Sequence, residues 1–294
     1  MTVVCVWRDN TFTPPRLVAV ADRRLSSKAK WRKRVVHTDE AIKLFAVPVK
    51  CFELSQLATQ KALVEPYDSN VIGLGYSGTA LESLIVSTLI IRALGHLSAH
   101  RELQKPEPLG LANLGHQILN RFMSSHAMKG AVLVRILMFG WDGERPWVAK
   151  LGWGDPNSKA PSTLAPLEFN FVDSDAIFWI GGHKDLGRTA SAQRKAATRA
   201  HKGGASSVSE ADVKKALHAL ELSKAVEDAL WEILGTPGVG TVGGVFDRLE
   251  LIRRPDDVIA SFSTDTYETV FDGLPSVSSV APVSHVPIKQ PHGS

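Results

Sequence analysis

Cysteine is nearly missing from this sequence. Among 294 residues there are two, Cys5 and Cys51, with neither metal-ligand spacing nor the numbers for a disulfide framework, which fits a reducing compartment. Long apolar runs are missing too. The strongest, LIVSTLII over residues 84–91, falls far short of the roughly 20 residues that a bilayer span needs, so no membrane association is expected. The opening, Met1-Thr2-Val3-Val4-Cys5-Val6-Trp7, has no basic segment followed by an apolar one, so no signal peptide is expected and the reading is a cytoplasmic protein. The ten histidines form no His-Glu-x-x-His pattern, and the glycine-rich stretch 235–244 is not followed by the Lys-Ser/Thr of a phosphate loop. A zinc protease and a nucleotide-binding loop are thereby disfavoured, and neither a metal nor a cofactor is expected. No internal repeat is found.

What remains is an ordinary globular composition, 44% hydrophobic and 22% charged, able to bury a substantial core in one domain. Net charge is only +4, yet residues 23–34 (RRLSSKAKWRKR) hold seven Lys or Arg and no acid. Such a run is either a solvated loop or a contact surface for phosphates and acidic partners.

Strand signals come first: Thr2 to Trp7, Arg16 to Asp22 (RLVAVAD), Ala41 to Val47 (AIKLFAV) and Asn70 to Tyr76 (NVIGLGY). Two helices are predicted next. Over Thr79 to Ala93, Leu81, Leu84, Ile85, Thr88 and Leu89 recur at helical spacing, and over Pro108 to Ser124 Leu111, Leu114, Ile118, Leu119 and Phe122 do the same. Strands return at Ala131 to Phe139 and Pro146 to Leu151, flanking the turn signal Asp142-Gly143, and at Ala176 to Ile180. Two further helices are predicted, Leu186 to Ala200 and one from the capping-box-like Ser209-Glu210-Ala211-Asp212 through Leu234. Strands Val242 to Leu251 and Val258 to Phe262 close the domain, taken as residues 2–270, and residues 273–294 read as a flexible tail. Grouped strands and grouped helices argue for an α+β fold of mainly antiparallel sheets with helices packed outside.

Several separated segments in this order resemble the proteasome β-subunit family of N-terminal nucleophile hydrolases. Thr2-Val3-Val4-Cys5-Val6 resembles its mature N-terminus. VAVADRR over residues 18–24 resembles its second strand, Ile42-Lys43-Leu44-Phe45 the strand with the active-site lysine, and Tyr76-Ser77-Gly78-Thr79-Ala80 the turn into its first helix. VLVRILMFG over 132–140 with Trp141-Asp142-Gly143 resembles the central hairpin, and Val242-Gly243-Gly244-Val245-Phe246-Asp247 a late Gly-Gly strand. A sequence that opens on Met-Thr, with no propeptide ahead of it, is most like the bacterial two-component protease subunit and the betaproteobacterial proteasome homologue. The resemblance implies a four-layer αββα sandwich and a homo-oligomeric ring. The ring would cleave unfolded polypeptide, with an ATPase or other activator as a possible partner.

The residues have a chemical rationale of their own. A hydroxyl is a poor nucleophile without an adjacent base, and an N-terminal Thr2 carries its own α-amine once Met1 is removed. That amine has a pKa of roughly 7.7–8.0 in peptides, so its neutral form is accessible near neutrality. By resemblance Lys43 is the cation beside Thr2, Asp22 the acid paired with it, and Gly78 the backbone N–H donor for the oxyanion. Tyr76 and Leu25 then lie in the side-chain pocket. Read without the resemblance, Lys43 is a surface residue of an alternating strand and Asp22 a strand-ending turn residue.

The sequence also departs from the family. Where a Gly-Ser-Gly turn is expected it has Gly181-Gly182-His183. Before Gly243-Gly244 it has Val239-Gly240-Thr241-Val242 in place of an Asp and a Ser. Two rivals to the threonine peptidase therefore stand: a catalytically silent proteasome-like ring, and a basic protein that binds nucleic acid or acidic partners through residues 23–34.

Overall fold

The structure is a computed structural model that describes residues 3–10, 12–28, 34–38, 41–53, 65–99, 105–125, 132–154, 162–172, 176–181, 246–255, 257–264, 270–271 and 274–275. Its strands are β1 (Val3–Asp9), β2 (Arg16–Asp22), β3 (Leu25–Lys28), β4 (Arg34–Thr38), β5 (Leu44–Glu53), β6 (Asp68–Gly78) and β7 (Leu97–Ala99). They continue with β8 (Val134–Asp142), β9 (Arg145–Trp153), β10 (Glu168–Phe171), β11 (Ile177–Gly181), β12 (Phe246–Arg253), β13 (Val258–Thr264), β14 (Val270–Phe271) and β15 (Leu274–Pro275). Two helices, α1 (Ala80–Leu94) and α2 (Pro108–Ser125), separate β6, β7 and β8.

The strands form two large sheets. One has the order β11-β1-β2-β12-β13-β14-β15, the other β10-β9-β8-β6-β5-β7, and β3-β4 is a separate ribbon. Pairing is antiparallel except between β5 and β7. The two sheets share an apolar core in which Val4, Val6, Leu17, Ala19, Ala21 and Leu249 of the first meet Leu44, Leu137, Phe139 and Val148 of the second. Period-two alternation places Ile72, Leu74 and Tyr76 of β6 on the opposite face, where they join Val86, Ile90 and Leu94 of α1 and Leu111, Leu119 and Met123 of α2. Each fully buried aliphatic chain in these two cores contributes about 1.5–3 kcal/mol. Val3, Cys5, Trp7, Val18 and Val20 lie on the outward face of the first sheet and are buried as well. A sheet covered on both faces reads as a continuous apolar run, which explains why Val3–Val6 and Leu17–Ala21 do not alternate with polar residues.

Three expectations are corrected. The apolar face assigned to α1 through Leu81, Leu84, Ile85, Thr88 and Leu89 is not its core face: Ser83, Val86, Ser87, Ile90 and Leu94 are buried, whereas Leu81 is 65% exposed and Leu84 and Leu89 also reach solvent. This helix is apolar nearly all round, so periodicity alone selects no face. The basic stretch is not simply a loop, because its two ends pair as the β3-β4 ribbon. Strand β5 begins at Leu44 rather than Ala41 and runs on to Glu53. By contrast β2, α2 and the Asp142-Gly143 hairpin, with Gly143 at φ 55°, fall where the sequence puts them. The helices predicted at 186–200 and from Ser209 to Leu234 lie outside the described residues.

Candidate active site

The two charged residues singled out by sequence meet inside the protein. Asp22 ends β2, and the antiparallel pairing of β2 with β1 brings that end beside Val3. Its Oδ1 accepts a hydrogen bond from the Val3 N–H at 2.8 Å. Its Oδ2 lies 3.2 Å from Lys43 Nζ, and the Lys43 ammonium donates to the Arg24 carbonyl at 2.6 Å. Lys43 is 0% and Asp22 1% exposed. A buried ammonium is strongly disfavoured unless paired and hydrogen-bonded, so the ion pair and the carbonyl contact are what let this lysine stay charged. The surface reading of Lys43 is therefore wrong, although its neighbour Ile42 is indeed exposed.

Gly78 closes β6 on the same end of the sandwich. It has φ 113°, and a Cβ there would collide with the Leu133 carbonyl oxygen, so the position is closed to any side chain. The turn is pinned by Thr79, whose N–H donates to Leu133 O at 2.6 Å and whose Oγ1 accepts from Leu133 N–H at 3.2 Å. Tyr76, two residues earlier, accepts the register of Lys43 by donating its N–H to the Lys43 carbonyl at 3.2 Å. Its ring is buried on the helix side, stacked on Phe45 at 6.1 Å, with Oη donating to Ile42 O at 3.1 Å. Burial pushes its phenol pKa up. The Leu25 backbone starts β3 opposite Thr38. Thr2 lies outside the described residues; its covalent neighbour Val3 is the residue whose N–H holds Asp22.

Sequence reasoning missed four contributors. The Val3 N–H and Arg24 carbonyl are backbone groups and carry no sequence signal. Arg23 approaches Asp247 at 3.6 Å, tying the start of the basic stretch to β12, and only the opposite charges hinted at it. Ser77 is buried beside Gly78 and was hidden in the small-residue turn. Cys5, next in the strand to the site, is not a rival nucleophile: burial first, and then the Asp22 carboxylate, push its thiol pKa far up. Of the expected departures from the family pattern, Gly181 pairs with Val3 at the edge of the first sheet, and residues 182–183 and 239–244 lie outside the described residues. Among the described residues no cluster of His, Cys, Asp and Glu is arranged to hold a metal, and no helix is long and apolar enough to cross a membrane.

No protein-family model matches the sequence, and no curated protein does. Solved structures similar to this chain include Anbu from Hyphomicrobium sp. strain MC1, at 16% identity and TM-score 0.49, covering 91% of this chain and 89% of that one. The helical assembly of the Anbu complex from Pseudomonas aeruginosa is similar at 14% identity and TM-score 0.46, covering 90% and 87%. Anbu (ancestral beta-subunit) from Yersinia bercovieri is similar at 12% identity and TM-score 0.46, covering 85% and 81%.

Proposed function

We propose that this chain is a threonine-type N-terminal nucleophile hydrolase that acts on peptide carbonyls. The observation that carries the reading is the buried Asp22–Lys43 pair hydrogen-bonded to the N–H of Val3, one residue from the hydroxyl proposed to react. A fully desolvated cation at the start of a strand, anchored by a carboxylate and a carbonyl, adds little to a core. Beside a nucleophile it lowers the pKa of the hydroxyl and of the α-amine.

The chemistry follows from those groups. Loss of Met1 frees the Thr2 amine, which takes the hydroxyl proton as Oγ attacks the substrate carbonyl carbon. The carbonyl π-electrons move to oxygen, and the Gly78 N–H is the donor assigned to that oxyanion. Collapse re-forms the carbonyl and breaks the C–N bond, and the departing amine takes the proton from the Thr2 ammonium. A water molecule, deprotonated by the same amine, then attacks the ester, releasing the acid and restoring the hydroxyl. Tyr76 and Leu25 are proposed to bound the side-chain pocket, which Tyr76 would restrict to small or flat groups.

The same reading extends to architecture. The buried outward face of the first sheet supports a fourth layer, assigned to the helices predicted at 186–200 and 209–234. The apolar outer stripe of α1, Leu81, Leu84 and Leu89, supports a closed homo-oligomer with cyclic or dihedral symmetry, in which unfolded chains would be cleaved in a cytoplasmic chamber. Replacing Thr2 by Ala tests the function. It should leave fold and assembly intact and abolish capture by peptide epoxyketones or boronates. Equal labelling of wild type and variant would end the claim that Thr2 is the nucleophile.

A further inference from the structure

The ladder between β6 and β8 stops short of the strands it joins. It runs from Gly78↔Val134 to Gly73↔Phe139, although β6 reaches back to Asp68 and β8 on to Asp142. Ile72 and Gly140 still lie side by side, since a Cβ on Gly140 would meet Ile72 Cγ2 at 3.0 Å. Thr79 N–H bonds Leu133 O, so alternation along β6 turns the main chain of Gly73 and then Val71 toward β8. The next rung would therefore join Val71 to Trp141. Instead the Val71 N–H donates to its own neighbour, Asn70 Oδ1, at 2.8 Å, and the Trp141 ring reaches to the first sheet, its Nε1 donating to the Leu251 carbonyl at 3.1 Å.

Where the two strands part, a cleft of about 220 Å³ opens. Its floor is apolar, made by the core residues Val49, Ile72, Leu111 and Trp147. Its rim holds three carboxylates, Asp68, Asp142 and Asp257, and three cations, Lys105, Arg253 and Arg254. We propose that this cleft binds a small zwitterion with an apolar side chain, an α-amino acid or a dipeptide. A rim with both signs can answer an ammonium and a carboxylate at once, whereas a phosphate would meet the carboxylates and a polyamine the cations. The volume lies below the roughly 300–1,000 Å³ of pockets for drug-sized ligands, which leaves out nucleotides and long peptides.

The rim charges are free to turn to such a ligand. Lys105 meets Asp68 at 3.4 Å with 83% of its side chain exposed, and Arg253 meets the exposed Glu144 at 3.1 Å. Exposed pairs of this kind contribute little and yield to a better partner. Arg254 and Asp257 are exposed on the β12–β13 turn, which the Arg254 N–H closes on the Asp257 carbonyl at 2.8 Å. From Asn70 at the cleft to Gly78 at the other end of β6 is about 27 Å at 3.4 Å per residue. Amino acids and dipeptides are the class of product that peptide hydrolysis releases, so under the proposed function the cleft is a product site remote from the chemistry. Binding there requires nothing of Thr2.

The test is isothermal titration calorimetry of the full-length protein with L-leucine, N-acetyl-L-leucine, which lacks the ammonium, and L-leucinamide, which lacks the carboxylate. L-Leucine should give saturable heat, and each capped analogue should bind about tenfold more weakly, the loss of one charge-assisted hydrogen bond. Arg254→Ser and Asp257→Ser, both on an exposed turn, should weaken L-leucine by a similar factor with an unchanged melting temperature. No saturable heat, or equal binding of the three compounds, overturns the proposal. So does binding unaltered in both variants, which would put the site elsewhere. Thr2→Ala should bind L-leucine as the wild type does, and loss of binding there would place the ligand at the active site instead. Failure of epoxyketone labelling in the wild type would remove the hydrolase reading and leave a positive titration standing.

Discussion

A lysine with none of its surface in water survives only where its charge is answered, and at the residue scale that is the central fact of this molecule. Deleting one partner leaves the other buried and uncompensated. Asp22→Asn or Lys43→Met should therefore each lower the unfolding free energy by about 3–5 kcal/mol. The double substitution should cost less than the sum of the two, as measured by urea titration. Strict additivity would mean the pair is not coupled in the folded protein. Both residues were visible in the sequence only as candidates. AIKLFAV shows a lysine in an apolar run, but period two permits either face, and only the approach of β2 decides it. The cysteines give a control for covalent labelling. Burial holds both thiols above their ordinary pKa, so neither should react with iodoacetamide in the native protein near neutral pH. Both should react after denaturation.

Elements were legible where one signal dominated. RLVAVAD became β2 to the residue, and Pro108 fixed the start of α2. Legibility failed on α1, where apolar residues surround the helix and the core face is chosen by fit to the second sheet. There Ser83 can be buried because its hydroxyl donates to the Ser77 carbonyl at 3.2 Å. The β3-β4 ribbon was hidden by charge, since a basic run reads as solvated whatever its backbone does. The exposed α1 stripe belongs to assembly in this account. Leu81→Glu with Leu84→Glu should leave the melting temperature of the subunit within a few degrees while shifting light scattering from oligomer to smaller species. An unchanged mass would show that this helix face carries no subunit contact.

At the scale of the whole molecule, the described residues form two sheets with a helical layer on one side, and the fully buried Asp22–Lys43 pair lies at one end of them. If subunits close into a ring with residues 23–34 facing its interior, the seven charges of that stretch are multiplied by the subunit number. Their field then favours acidic peptides over basic ones, with a preference that fades as salt rises. Replacing Lys28, Lys30, Arg32 and Lys33 with Ser should flatten that preference and leave assembly intact. Peptide choice indifferent to charge and salt would reduce the stretch to a ribbon with a solvated connection. All of this depends on whether the chain begins, in its working form, with a reactive threonine. The most direct measurement is intact-mass and peptide mapping of the protein after exposure to a threonine-directed peptide epoxyketone. The account predicts a chain lacking Met1, one adduct per subunit located on Thr2, and no adduct on Thr2→Ala. A retained Met1, or an adduct on another residue that persists in Thr2→Ala, would contradict it.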